Sequence, residues 1–97
     1  MTDDAVTVGP DNFSVVFEND RVRVLEFRDR PGETIPMRSH PDLVAISLQG
    51  RFSSTSHTGE VNQNELDPGT PSFSPARRHS TENVGETDGH VILVELK

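Results

Sequence analysis

A chain of 97 residues has room for one domain and leaves little for a second. Its net charge of −7 lacks the basic footprint that a general nucleic-acid binder uses to displace counterions. With no Cys, 31% hydrophobic residues and 5% aromatic residues, it has no disulfide staples and a thin core, so barrel closure, dimerisation or both are expected to supply the missing stability.

The chain opens on Met1-Thr2-Asp3-Asp4, acidic and polar, without the basic flank and apolar run of a signal peptide. No apolar stretch approaches the length of a membrane span. These features predict a soluble cytoplasmic protein with neither a membrane nor a nucleic-acid partner. Residues 1–12 hold few apolar anchors and read as a loose N-terminal arm, with a single barrel domain at 13–97.

No window of helical length carries an apolar stripe at 3.6 spacing. Short β-branched or apolar runs recur instead, each closed by turn residues. Phe13 to Phe17 is the first, and Asn19-Asp20 turns the chain into Val22 to Phe27. Asp29-Arg30-Pro31-Gly32 is a strong turn signal, and a polar stretch through Pro36 and Pro41 follows it. Leu43 to Leu48 ends at Gly50, and its Leu43-Val44-Ala45-Ile46 core is apolar on both faces, as in a strand covered on both sides. Arg51 to Ser56 and Glu60 to Leu66 flank a Thr58-Gly59 hairpin turn. The second of these is mostly polar and reads as an edge strand. Ser72 to Pro75, His79 to Val84 and His90 to Leu96 complete a set of eight. So many short strands at regular spacing predict an all-β fold, an antiparallel sandwich or barrel.

Two segments resemble the paired motifs of the cupin superfamily, in particular its short single-domain members. The first motif of that family runs Gly, five residues, His, any residue, His, a few residues, Glu, six residues, Gly. Here Gly32 and its five-residue spacer match, Arg38 stands at the first histidine, His40 at the second, and Leu43 at the glutamate, with six residues between it and Gly50. The second motif has its His-three residues-Asn core in His79 and Asn83, with Ala76 or Arg77 where a glycine is usual. The closing Val91-Ile92-Leu93-Val94-Glu95 is also similar to short cupins. The resemblance spans residues 13–96 and implies a small antiparallel β-barrel, the double-stranded β-helix of jelly-roll type. On a strand, residues two apart share a face, so Arg38 and His40 are expected to point inward together, as are His79, Thr81 and Asn83. Gly32 and Gly50 sit at turns that favour positive φ.

The family site holds a divalent transition metal on three His and one Glu. This chain keeps His40 and His79, and both would be ligands if a metal is present. Arg38 has no acceptor to offer and its fixed charge repels a cation, while Leu43 contributes nothing. Neither His57, beside its hairpin turn, nor His90, at the start of the last strand, is placed by a motif. No cofactor is therefore predicted, and the alternative is a divalent transition metal on an irregular ligand set. Arg38, Arg77 and Arg78 cluster in or beside the motifs of an otherwise acidic chain, which suggests a pocket for a small anionic or carbonyl-containing molecule. Arg38, Arg77, Arg78 and Asn83 are its candidate ligand-binding residues, although Arg77 and Arg78 are neighbours and only one can face inward, and the structural reading of Asn83 is that its amide closes the turn before Gly85. Arg38, His40 and His79 are the candidate catalytic residues, with Arg38 as anion clamp and a histidine as general acid or base.

Three readings stay open. One is a metal-free pocket, either binding a ligand or catalysing an isomerase-, lyase- or cyclase-type step. The second is a metal-dependent, dioxygenase-like enzyme with an irregular ligand set. The third is a barrel whose histidines are only hydrogen-bonded relics. The doubly apolar Leu43–Leu48 run predicts a homodimer in each case.

Overall fold

The computed structural model describes residues 3–65 and 67–97. Met1 and Thr2 of the expected arm, and Leu66 of the expected fifth strand, lie outside them. The described chain forms a four-residue helix, α1 (Ala5–Val8), and nine strands: β1 (Phe13–Glu18), β2 (Val22–Asp29), β3 (Thr34–His40), β4 (Leu43–Gln49), β5 (Arg51–Ser56), β6 (Val61–Glu65), β7 (Thr70–Ser74), β8 (Arg77–Asn83) and β9 (Gly89–Leu96). Five of them build an antiparallel sheet in the order β1-β2-β9-β4-β7, and four build a second in the order β3-β8-β5-β6. The two inner faces enclose a core of Phe13, Leu25, Phe27, Ile35, Leu43, Val91 and Leu93. The all-β double-stranded architecture is the predicted one. β6 is an edge strand with every residue exposed, as its polarity implied.

Strand alternation decides which side chains face in. Along β9, Gly89, Val91, Leu93 and Glu95 are buried and the residues between them are half-buried. Along β4 the inward set is Leu43, Ala45 and Ser47, which leaves Val44 and Ile46 on the outer face, in register with Val94 and Ile92 of β9. Among the described residues no helix is long and apolar enough to cross a membrane.

Two expectations change. The polar stretch through Pro36, not counted among the eight strands although the motif set Arg38 and His40 on one strand face, is a strand, β3. It lacks an apolar signature because two of its three inward positions, Arg38 and His40, are polar, and Pro36 falls where the pairing with β8 shifts register between Ile35 and Arg38. Proline, with no N–H to give to a ladder, is tolerated at such an irregularity. The described part of the N-terminal arm is not loose. Ala5 is fully buried, Asp4 caps α1 by accepting from the Val6 N–H, and the Ser39 N–H donates to the Asp3 carbonyl at 2.7 Å. A helix this short is not stable alone, so its packing and these polar contacts hold it.

At one end of the barrel, Phe52 is seated against two glycines. A Cβ on Gly50 or Gly89 would stand 2.7 or 2.6 Å from its ring. Gly50 also has φ +124°, and Gly32 has φ +81°, as their turn positions predicted.

Candidate functional site

The register shift in β3 builds the site. Ile35 pairs with Thr81 and Arg38 with His79, so three steps on β3 match two on β8. The extra residue restores the facing lost by an odd step, and Ile35, Arg38 and His40 are all buried. From β8, His79 and Thr81 join them, and from β5, Ser54. The result is a cavity of about 330 Å³ between the sheets.

Its two walls differ in chemistry. The four-stranded sheet contributes Arg38, His40, Arg77, His79, Ser54 and Thr81, with Phe52. The five-stranded sheet contributes Phe13, Phe27, Leu43, Ala45, Val91 and Leu93, with Ser47 and Ser72. Phe73, more than half exposed, stands at the mouth.

Arg38 is 3% exposed. Among the described residues no carboxylate lies within ion-pair distance of Arg38 or Arg77. The Arg38 guanidinium stacks 5.3 Å from the Phe13 ring centroid, donates from Nη1 to the Ile35 carbonyl at 3.4 Å, and leaves Nε without a partner. Burial, with the Arg77 charge adding to it, lowers its pKa to about 10, so it stays cationic at neutral pH. A buried, uncompensated cation is costly to a fold unless something pairs with it.

The histidines are both held, by different partners. The His79 Nδ1 is 2.7 Å from the Ser54 hydroxyl, and its Nε2 is buried without a partner. Burial, followed by the charges of Arg38 and Arg77, pushes its pKa down to about 2, so the ring is neutral. The His40 Nδ1 is 3.2 Å from Glu95 Oε2. Burial lowers the pKa of His40 despite that carboxylate, with Arg38 adding to the shift. A neutral His40 donating Nδ1–H to Glu95 presents Nε2 as the unprotonated ring nitrogen. The two imidazoles meet edge to face with centroids 5.2 Å apart.

Behind His40 runs a chain of charges. Glu95, 2% exposed, accepts from Arg23 Nε at 2.8 Å, and Arg23 Nη2 reaches Asp4 Oδ1 at 2.7 Å. Glu95 also lies directly across the β4–β9 ladder from Leu43. A buried carboxylate thus stands beside the position from which the family's glutamate is missing. Sequence reasoning gave Glu95 no role in the site. The usable signal was the alternation of Val91, Leu93 and Glu95, which aims all three inward.

Arg38, His40, His79 and Arg77 therefore meet in one cavity, and two other candidates do not. Arg78 points outward, half exposed, and binds Asp3 at 2.6 Å. Of the adjacent arginines, Arg77 is the one that lines the cavity, because strand alternation permits only one. Asn83 is fully buried but serves the barrel end: its Nδ2 donates to Asp29 Oδ1 and the Thr87 carbonyl, and its Oδ1 accepts from the Gly85 N–H. His90 pairs with Glu26 at 2.7 Å, and His57 is exposed, so neither enters the cavity.

The donor set does not fit the family's metal. A guanidinium occupies one ligand position and a leucine another, and the Glu95 carboxylate is engaged by His40 and Arg23. Among the described residues no three His, Cys, Asp or Glu side chains gather in a metal-holding cluster.

No protein-family model matches the chain, and no curated protein matches it. Solved structures do. A cupin domain from Bordetella pertussis is 25% identical with a TM-score of 0.80, over 88% of this chain and 91% of that one. A double-stranded β-helix protein from Klebsiella pneumoniae is 22% identical with a TM-score of 0.70, over 87% and 70%. An RmlC-like cupin family protein from Methanocaldococcus jannaschii is 14% identical with a TM-score of 0.69, over 87% and 77%.

Proposed function

We propose that this protein, a small cupin, binds a small organic anion in its barrel and uses His40 to move a proton on it. The observation that carries the reading is Arg38, a buried guanidinium with no carboxylate partner in the described chain and an unpaired Nε. A carboxylate accepting from Arg38 would supply the missing charge and hydrogen bonds together. The unpartnered His79 Nε2 and Thr81 hydroxyl line the same cavity and supply further hydrogen bonds to the anion.

His40 complements this clamp. Its Nε2 accepts a proton from a carbon next to a carbonyl, and the electron pair moves onto the carbonyl oxygen. Arg38 and His79 offer N–H groups to that oxygen. Return of the proton to a different carbon completes an isomerisation, and its return to the same carbon leaves only exchange. Glu95 holds the imidazole and stabilises the cation formed when it is protonated, as a buried carboxylate does behind a catalytic histidine.

Calorimetric titration with small carboxylates tests the clamp. Wild type binds and Arg38→Met loses at least tenfold in affinity. Equal affinities in the two proteins would overturn the reading. Deuterium exchange at the carbon beside the carbonyl of a 2-oxo acid, followed by NMR, tests the proton transfer. Binding without exchange above buffer would leave a ligand-binding module and remove the enzyme.

We further propose a homodimer through the outer face of the five-stranded sheet. Val44, Ile46, Ile92 and Val94 lie half-buried there and cluster by register. A patch of this kind on a chain with so small a core favours association. Sedimentation is expected to show a dimer at micromolar concentration and a monomer for Ile46→Glu. A wild-type monomer would refute it.

A further inference from the structure

Four of the chain's five phenylalanines line this one cavity: Phe13, Phe27, Phe52 and Phe73. Phe13, Phe27 and Phe52 form a continuous aromatic run, with centroids 4.8 Å apart for the first pair and 6.0 Å for the second. In a protein with no Trp and no Tyr, that concentration is more than a core requires, because an empty space remains beside the rings. A cavity built only for a hydrated inorganic anion or a short acid has no use for an aromatic wall. The apolar groups and the cationic groups also sit on opposite sheets, so one bound molecule faces both at once.

We infer that the ligand is an amphipathic monocarboxylate with a single ring or compact branched body. Its carboxylate lies against Arg38 on the four-stranded sheet, and its body lies against Phe27, Leu43 and Leu93 of the five-stranded sheet. This rests on the anion site proposed above and adds the class of molecule. Three features set the limits. Phe13 covers one face of the Arg38 guanidinium, so the carboxylate meets the edge or the other face. Among the described residues Arg38 is the one deeply buried cation without a partner, since His40 and His79 are neutral and the cavity-lining Arg77 is exposed to solvent, which suits a single negative charge. The 330 Å³ volume stands at the low end of the range of about 300–1,000 Å³ for small-molecule pockets, enough for one ring and too little for a nucleotide.

Ala45 gives the means to separate body from charge. It lines the apolar wall with a small side chain on β4. A larger residue there occupies the space of the ring and leaves Arg38 untouched. Calorimetry with acetate, benzoate, benzamide and inorganic phosphate, on wild type, Ala45→Leu and Phe52→Leu, tests the inference. Benzoate is expected to bind wild type at least tenfold more tightly than acetate or phosphate, and benzamide at least tenfold more weakly than benzoate. Ala45→Leu is expected to weaken benzoate at least fivefold while leaving acetate within twofold. Phe52→Leu, a milder change to the same space, lowers benzoate affinity in the same direction. If acetate or phosphate equals benzoate in wild type, the anion site stands and the amphipathic ligand is wrong. If none of the four binds, or benzamide equals benzoate, the anion site itself fails and takes this inference with it.

Discussion

The two sheets of this barrel share a core and divide the labour between them. The five-stranded sheet turns Phe27, Leu43, Val91 and Leu93 inward and obeys the rule that strands bury their apolar face. The four-stranded sheet turns Arg38, His40, His79 and Thr81 inward and breaks it. The first wall stabilises the fold and the second costs it stability, which is the pattern of a scaffold carrying a binding site. Glu95 crosses the division. It comes from the apolar sheet and supplies the one carboxylate that holds a histidine of the polar wall.

Breaking that crossing has the largest effect. Glu95→Ala strips the buried partner from His40 and one of the two carboxylates from Arg23, and denaturant melts are expected to show a loss of about 2–4 kcal/mol. A loss below about 1 kcal/mol would mean that the two walls are energetically independent. The next effect is in acid. His79 has its pKa lowered in the fold from 6.5 to about 2, so the folded state binds fewer protons than the unfolded chain between those values. Its contribution is complete above pH 6.5 and is lost as pH falls. Compared with His79→Gln, wild type should therefore lose about 2 kcal/mol between pH 6.5 and pH 5. Asp29, raised by burial to about 6, gives the opposite slope, but it is common to both proteins and cancels in the difference. Smaller, and of opposite sign, is Arg38→Met. Replacing an unpaired buried cation by an apolar side chain of similar length should stabilise the fold by about 1 kcal/mol even as it removes anion binding. A destabilised Arg38→Met would show that the guanidinium is a structural strut. Smallest is Arg78→Ala, which is expected to leave carboxylate affinity within twofold in the same titration, since Arg78 faces outward.

The apolar wall was legible in sequence and the polar wall only in fragments. Leu43-Val44-Ala45-Ile46 and Val91 to Leu96 announce central strands by composition. Arg38, His40 and His79 stood out because the motif spacing placed them, but β3 itself was hidden by Pro36 and by its own polar inward residues. Asn83 satisfied the motif and stood among the ligand candidates, but its other reading holds: its amide closes the turn before Gly85 and ties the barrel end. Glu95 was missed because a lone acidic residue near a chain end resembles surface decoration until its alternation with Leu93 is weighed.

The sequence by itself determined that the chain is built of short antiparallel strands, and only its resemblance to the cupin motifs grouped Arg38, His40 and His79. Alternation and turn chemistry are local, and local order is written in adjacent residues. Tertiary structure alone decided which arginine of the adjacent pair faces the cavity, that Glu95 stands behind His40, and that Arg38 is left without a partner. Each of those is a statement about strands distant in the chain, and only the register between sheets and the irregularity at Pro36 could settle them.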